Sequence, residues 1–267
     1  MQLRLNPTLR HRIADADRAL FGGWVSSGSP VMAEIMAGAG LDWLMIDMEH
    51  GPIGLGDVQL MLQAAAAYPV TPVVRVPVND AVWIKQVLDL GAQTIMVPMV
   101  STAADAEAAV AHASYPPRGH RGVGNALARS GRWNRVDDYL RNAAEYVSVI
   151  VQIETFAGVE NAEAIAAVDG IDGVFVGPSD LAASMGLIGQ QTHPDVVAAV
   201  ERAFTGVRAA GKPVGVNAFD PKAAQAYVGA GARFLLVGAD VGLAARGAEN
   251  LAKTFITDAD ATQRSSY

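Results

Sequence analysis

WLMIDMEHGP, residues 43–52, joins a short apolar run to three ionisable groups, Asp47, Glu49 and His50, and closes in a Gly-Pro turn. A buried strand that ends in this way has its end turned toward something polar. Apolar runs of the same kind recur at about 20–25 (LFGGWV), 72–76 (PVVRV) and 94–98 (TIMVP). Four more fall near 147–153 (VSVIVQI), 173–176 (GVFV), 213–216 (PVGV) and 234–238 (FLLVG), which makes eight strands.

The segments between them, such as SPVMAEIMAGAG, GDVQLMLQAAAAY and DAVWIKQVLDLGA, carry apolar residues at three- and four-residue spacing, the pattern of a helix with one buried face. Several end in glycine, GAG at 38–40, LGA at 90–92 and GAGA at 229–232, where the left-handed conformation that stops a helix is accessible. Strands alternating with helices imply a parallel sheet, and eight such units imply a single closed (β/α)8 TIM barrel. An open doubly wound sheet would need a glycine-rich phosphate turn after its first strand. GGW at 22–24 does not supply one, and Gly122-Val-Gly124 is a lone GxG. Residues 114–146, rich in Arg, Gly and Pro, read as an elaborated loop after the fourth helix, not as a second domain.

Composition narrows the function. At 267 residues the chain is long for an average domain, but α/β barrels reach this size undivided. With 51% apolar and 18% charged residues it has the material for a sizeable core. A net charge of −7 and no basic block argue against nucleic-acid or membrane-surface partners. The absence of cysteine removes disulfides, thiolate metal sites and cysteine nucleophiles together, so any metal must use carboxylate or imidazole. The N-terminal stretch lacks the apolar region of a secretory signal, and no uncharged apolar span of about 18 residues follows. A cytoplasmic enzyme is expected.

In a barrel the active site lies at the C-terminal ends of the strands. Trp24 falls at the end of the first strand, Asp47 the second, Arg75 the third, and Gln152 and Glu154 the fifth. Asp180 follows the sixth in GPSD, and Asn217 follows the seventh. Singly, each marks only where a strand gives way to polar loop. Together they interrupt apolar strands at matching places, so Asp47, Glu49 and His50 are expected to face a shared pocket. Two carboxylates, Glu154 and Asp180, suit a hard divalent cation such as Mg²⁺ or Mn²⁺, which leaves coordination positions for water and substrate oxygens. A salt bridge to Arg75 is the alternative reading. None of the four lysines ends a strand, which leaves a Schiff-base mechanism without its nucleophile, and Ser179 lacks the histidine and acid of a hydrolase.

With those residues placed, the chain resembles the metal-dependent class II pyruvate aldolases of the 4-hydroxy-2-oxoheptanedioate aldolase family from about Gly22 to Leu251. The resemblance is carried by IDMEHGP, PVVRVP, IKQVLDLGAQTIMVPMV, YPPRGHRGVGNALARSGRWNR, VQIET and GVFVGPSDLAASMG, in that order. It implies a barrel of the phosphoenolpyruvate/pyruvate superfamily in which Glu154 and Asp180 bind Mg²⁺ or Mn²⁺, with Co²⁺ a third option. Pyruvate would chelate the metal, its carboxylate held by the amides around Ser179 and Asp180 at a helix N-terminus. Arg75 would hydrogen-bond the keto oxygen, Asp47 would orient a water on the metal, and His50 would be the acid/base. Cleavage between C3 and C4 needs loss of the C4 hydroxyl proton while charge develops on the C2 oxygen, where metal and guanidinium are fixed in advance. Losing Arg75 should cost about 3–4 kcal/mol of barrier, by analogy with oxyanion donors.

The resemblance further implies that Asp89 of a neighbouring subunit orients His50, whereas the residues alone read Asp89 as an exposed helix position. It implies a homohexamer, a trimer of dimers that exchange their last helix, here about 242–256. Glu49 reads as a structural salt bridge, Gln152 as support for the metal site, and Trp24 as either pocket lining or core. The arginine-rich stretch 116–135 reads as a loop bracing the barrel rim or as a site for an anionic distal group. Arg118 and His120 go beyond the core PPxGxRG pattern, and Met48 stands where the family's spacer is often smaller. The expected organisation is an N-terminal extension (1–18), the barrel (19–256) and a C-terminal tail (257–267). The expected activity is a lyase splitting 4-hydroxy-2-oxo acids into pyruvate and an aldehyde. The rivals are a 2-keto-3-deoxy sugar-acid aldolase and a citrate-lyase-like CoA ester lyase.

Overall fold

Side chains alternate along a strand, and that period of two decides which residues line the barrel. In the computed structural model, which describes residues 3–256, Trp43 and Met45 belong to one buried cluster, and Leu44 and Ile46 to another. The first cluster fills the barrel interior; the second packs between strands and helices. The tail at 257–267 lies outside the described residues.

Eight parallel strands close on themselves in sequence order. They are β1 (Leu20–Val25), β2 (Trp43–Asp47), β3 (Thr71–Arg75) and β4 (Thr94–Val97), then β5 (Ser148–Ile153), β6 (Gly173–Val176), β7 (Val214–Asn217) and β8 (Phe234–Ala239). Each end falls within one residue of its sequence expectation. Helix α1 (Leu9–Asp15) precedes the barrel. Helices α2 (Pro30–Gly38), α3 (Leu55–Ala65), α4 (Ala81–Asp89) and α5 (Ala103–Ala113) follow the first four strands. A single turn, α6 (Ala143–Tyr146), leads into β5, and α7 (Phe156–Glu160) and α8 (Ala162–Ala166) leave it. After β6 come α9 (Pro178–Ser184) and α10 (Pro194–Ala209); α11 (Pro221–Gly229) follows β7, and α12 (Asp240–Phe255) follows β8.

Local chemistry sets the helix starts. Ser29, Asp80, Thr102 and Asp220 each accept a hydrogen bond from a first-turn amide of α2, α4, α5 and α11. Inside the barrel, glycines make room for rings. A Cβ at Gly22 would lie 2.5 Å from the Trp43 indole, and one at Gly215 would lie 2.5 Å from Phe234. Trp43 meets Phe234 and Phe175 edge-on, at centroid separations of 5.9 and 6.4 Å. Truncating one such ring to Ala would cost about 3–5 kcal/mol.

Helix α1 lies within the stretch set apart in sequence as an N-terminal extension. Its Leu9 and Ile13 join the inner cluster, and the Leu9 amide donates to Thr94 Oγ1 at the start of β4. The chain thereby plugs the end of the barrel from which the strands start. The arginine-rich loop is at that same end, because it runs from α5 into β5. It braces α4: the Arg129 guanidinium donates to the Leu90 carbonyl, and the Ser130 amide donates to the Asp89 carbonyl. The loop therefore braces the barrel, but at the end opposite the rim where the site residues converge. Recognition of a distal anion in the same chain's pocket does not hold, since that pocket opens at the opposite end.

Helix α12 departs from the barrel pattern. Of its residues only Asp240 is buried, and Leu243, Leu251 and Phe255 are 61%, 63% and 79% exposed.

Candidate active site

A cavity of about 490 Å³ opens where the strands end. The alternation that buries Trp43 and Met45 sends Asp47 inward at its rim. There Asp47, 2% exposed, accepts from the amides of Glu49 and His50 through Oδ1, which turns the chain out of β2. The same oxygen accepts from Arg75 Nε at 2.9 Å. Arg75 Nη1 lies 2.9 Å from Glu49 Oε2, as an ion pair outside hydrogen-bond alignment, and 3.4 Å from Gln152 Oε1. Its guanidinium carbon sits 4.4 Å above the Trp24 ring. The side chain is thus gripped on several sides, while Nη2 has no partner among the described residues. Glu49 takes the structural ion pair expected of it. Burial raises its pKa, and the Arg75 charge opposes part of that rise.

Glu154 is 2% exposed, and both of its oxygens are held. Oε1 accepts from the Met99 amide at 2.7 Å and Oε2 from Gln152 Nε2. Met99 reaches this position with φ of 56°, a left-handed conformation that a side chain of its size seldom adopts. Gly177 allows the carboxylate to lie flat against β6, since a Cβ there would come within 3.0 Å of Glu154 Oε2. Burial pushes the Glu154 pKa up to about 7; the Met99 amide opposes this, and the charges of Glu49 and Asp180 add to it. Asp180 stands exposed on the first turn of α9, beside Ser179.

A buried carboxylate whose charge is opposed by its own surroundings, with a second carboxylate close enough to raise its pKa further, fits a hard divalent cation. No three His, Asp or Glu side chains converge to hold a metal among the described residues. Two carboxylates with open positions between them remain. The alternative reading, in which Arg75 pairs with Glu154 or Asp180, is not what forms: its partners are Asp47 and Glu49.

The residues expected at one rim are therefore mostly brought together. Trp24, Asp47, His50, Arg75, Gln152, Ser179 and Asp180 line the cavity, and Glu154 accepts a hydrogen bond from the lining residue Gln152. His50 is exposed, and its ring makes no hydrogen bond among the described residues. Asp89 is elsewhere. As the last residue of α4 it lies at the end of the barrel where the strands begin, and it is a partly buried ion-pair member, not an exposed helix position: Arg121 Nη2 donates to its Oδ1 at 2.7 Å. Helices of a barrel run back against their strands, so Asp89 cannot reach His50 of its own chain.

A profile of the HpcH/HpaI aldolase/citrate lyase family matches residues 20–247. The chain belongs to this family. It is 51% identical over 240 residues to a 4-hydroxy-2-oxo-heptane-1,7-dioate aldolase from Salmonella dublin, covering 90% of this chain and 91% of the relative. A crystal structure of an HpcH/HpaI aldolase/citrate lyase family protein from Burkholderia cenocepacia J2315 superposes with a TM-score of 0.88 and 43% identity, over 92% of this chain and 98% of that one. An HpcH/HpaI aldolase from Desulfitobacterium hafniense DCB-2 does so with a TM-score of 0.85 and 28% identity, over 97% and 100%.

In this HpcH/HpaI member two contributors, Met99 and Asp240, are not expected from the sequence, and Asn217, expected at the rim, has a partner that the sequence does not give. Met99 leaves no trace in VPMV that its amide turns onto Glu154. Asn217 was placed at the rim without a partner; it accepts from Trp24 Nε1 at 2.8 Å. Asp240, fully buried, accepts from the amides of Ser26, Ser27 and Val241, tying the β1 exit to the start of α12. The signal for Asp240 was present: FLLVGAD ends an apolar strand in an acid as WLMID does.

Proposed function

We propose that this chain is a cytoplasmic, divalent-metal-dependent aldolase that reversibly cleaves 4-hydroxy-2-oxo acids to pyruvate and an aldehyde, the reaction type named for its Salmonella relative. The observation that carries the proposal is Arg75, fixed by Asp47, Glu49, Gln152 and Trp24 with Nη2 left to the cavity. A guanidinium immobilised before the reaction stabilises charge that appears only during it.

Glu154 and Asp180 would hold the cation, Mg²⁺ or Mn²⁺ with Co²⁺ a third option, and when bound it supplies fixed positive charge beside the oxygens of the 2-oxo acid. The substrate carboxylate lies against the first-turn amides of Ser179 and Asp180. Arg75 Nη2 donates to the C2 oxygen. His50 takes the proton from the C4 hydroxyl; the C3–C4 bond breaks, its electron pair passes into the C2–C3 enolate, and the C4 carbon leaves as the aldehyde. Protonation at C3 then gives pyruvate. Asp47 holds Arg75 and the His50 turn in register, and Gln152 aligns Glu154 with Arg75.

His50 lacks an orienting acceptor among the described residues of its own chain. We assign that role to Asp89 of a second subunit in a homo-oligomer, a hexamer built from dimers that exchange α12. The apolar, unburied face of α12 supports such an exchange. No helix of the described residues is long and apolar enough to cross a membrane.

The test avoids guessing the aldehyde. Protein stripped of metal and resupplied with Mg²⁺ or Mn²⁺ is expected to exchange the pyruvate methyl protons for deuterium in D₂O, followed by NMR. Exchange should require the metal and should be lost in Glu154→Gln. Absence of exchange with either metal would count against the aldolase reading and direct attention to CoA thioesters.

A further inference from the structure

The wall of the cavity is divided by chemistry. Asp47, Arg75 and Gln152 come from β2, β3 and β5, and Asp180 follows β6. Strands β7, β8 and β1 are contiguous in the closed barrel and contribute no charged side chain to the cavity lining. Their side is formed by Asn217, Phe219, Ala239, Trp24 and Ser26. If the oxo-acid half of the substrate occupies the charged side, the aldehyde half faces this uncharged one.

Asn217 is the last residue of β7. Val214 and Val216 belong to the outer cluster, so the period of two turns Asn217 inward. Its amide orientation is not free. The Trp24 indole N–H can only donate, so the Asn217 atom 2.8 Å from it must be the carbonyl oxygen, and the NH₂ group is directed elsewhere. Arg75 stacks on the Trp24 ring face, a contact that favours this position of the indole. Nδ2 has no protein partner among the described residues and is not sealed from the cavity. An oriented, unspent donor therefore stands on the uncharged wall.

We propose that Asn217 is a specificity-determining residue for the aldehyde, its Nδ2 donating to a hydroxyl oxygen on the carbon next to the aldehyde carbonyl. The preferred substrate in the cleavage direction is then a 4,5-dihydroxy-2-oxo acid. This rests on the aldolase reading and deepens it by naming the aldehyde class. Phe219 and Ala239 pack against the carbon skeleton, and Asn217 distinguishes the hydroxyl from a methyl group of similar size. A site that offers a hydrogen bond discriminates against an analogue that cannot accept it.

The experiment compares kcat/KM for addition of pyruvate to glycolaldehyde and to propionaldehyde, which differ by hydroxyl against methyl. The wild-type chain should favour glycolaldehyde by about tenfold, the scale of one hydrogen bond. Asn217→Leu and the smaller Asn217→Val should bring the ratio to about one. Both variants also remove the acceptor for Trp24, but that loss acts on the two aldehydes alike and cancels in the ratio. If Asn217 only anchors Trp24, both rates fall together and the preference survives, which overturns the proposal. A wild-type ratio of one or less overturns it whether or not the variants fold. Deuterium exchange into pyruvate needs no aldehyde and separates the two failures. Exchange without preference removes the role of Asn217 alone; no exchange removes the aldolase reading and this inference with it.

Discussion

Glu154 shows how one residue can carry a cost in the bare protein that its ligand removes. Its folded pKa of about 7 stands above the ordinary 4.5, so the folded chain holds that proton more tightly than the unfolded chain does. Stability from this group is fully present below 4.5 and is lost as pH rises through about 7, a difference of roughly 3 kcal/mol. Urea unfolding of the chelated protein should therefore show stability falling between pH 5 and 8 more steeply in wild type than in Glu154→Gln, whose amide does not titrate. Parallel profiles for the two would refute the assignment. Added Mg²⁺ or Mn²⁺ should recover stability most at the alkaline end, because a cation binds the ionised carboxylate. At this scale the sequence was readable where an ionisable residue ends or directly follows an apolar strand, as for Asp47, Arg75 and Glu154. It was unreadable for Met99, whose contribution is a backbone amide in a left-handed turn, since the identity of a side chain says little about where its own amide points.

Elements were legible for a related reason. Strands buried on both faces read as apolar runs, and glycine stops mark the ends of the helices between them, so the β1–β8 boundaries emerged almost unchanged. The pieces that were not legible, α1 and the short helices α6 to α9, are too brief to show a helical period, and tertiary contacts decide them. The junction of β8 and α12 is the element-scale counterpart of the rim. Asp240, with three backbone donors on its carboxylate, holds the exit of β1 against the start of α12 and thereby fixes Ser26 at the cavity. Asp240→Ala would leave these donors unpaired, a loss of about 2–4 kcal/mol. The variant should unfold at correspondingly lower urea and exchange pyruvate protons more slowly, with Asp240→Asn falling between it and wild type because one oxygen remains. An alanine variant within about 0.5 kcal/mol of wild type would show that the junction is held by something else.

For the whole molecule, the decisive geometry is the separation of His50 from Asp89. His50 follows a strand's C-terminal end and Asp89 closes the helix that runs back, so within one chain they occupy opposite ends of the barrel. Arg121, its side chain completely buried, holds the Asp89 carboxylate with the side chain still partly exposed, an arrangement suited to presenting charge to another subunit. Neither the distance nor the partner could be read from QVLDLG; only the resemblance pointed there. The apolar face of α12, unburied in the single chain, supports a second copy being part of the working unit. If so, catalytic defects should complement. A Asp89→Ala subunit keeps its own His50 but lacks the acceptor it lends, and a His50→Ala subunit keeps Asp89 but has no base. Each homogeneous variant is expected to be nearly inactive in aldol cleavage. Co-expressed in equal amounts, they should assemble mixed oligomers in which about a quarter of the sites unite an intact His50 with an intact Asp89. Recovery of activity toward that fraction, lost when the variants are purified separately and combined without subunit exchange, would place the shared site between chains. Activity of the mixed assembly no greater than the mean of the two variants would confine catalysis to a single barrel and leave His50 to act without Asp89.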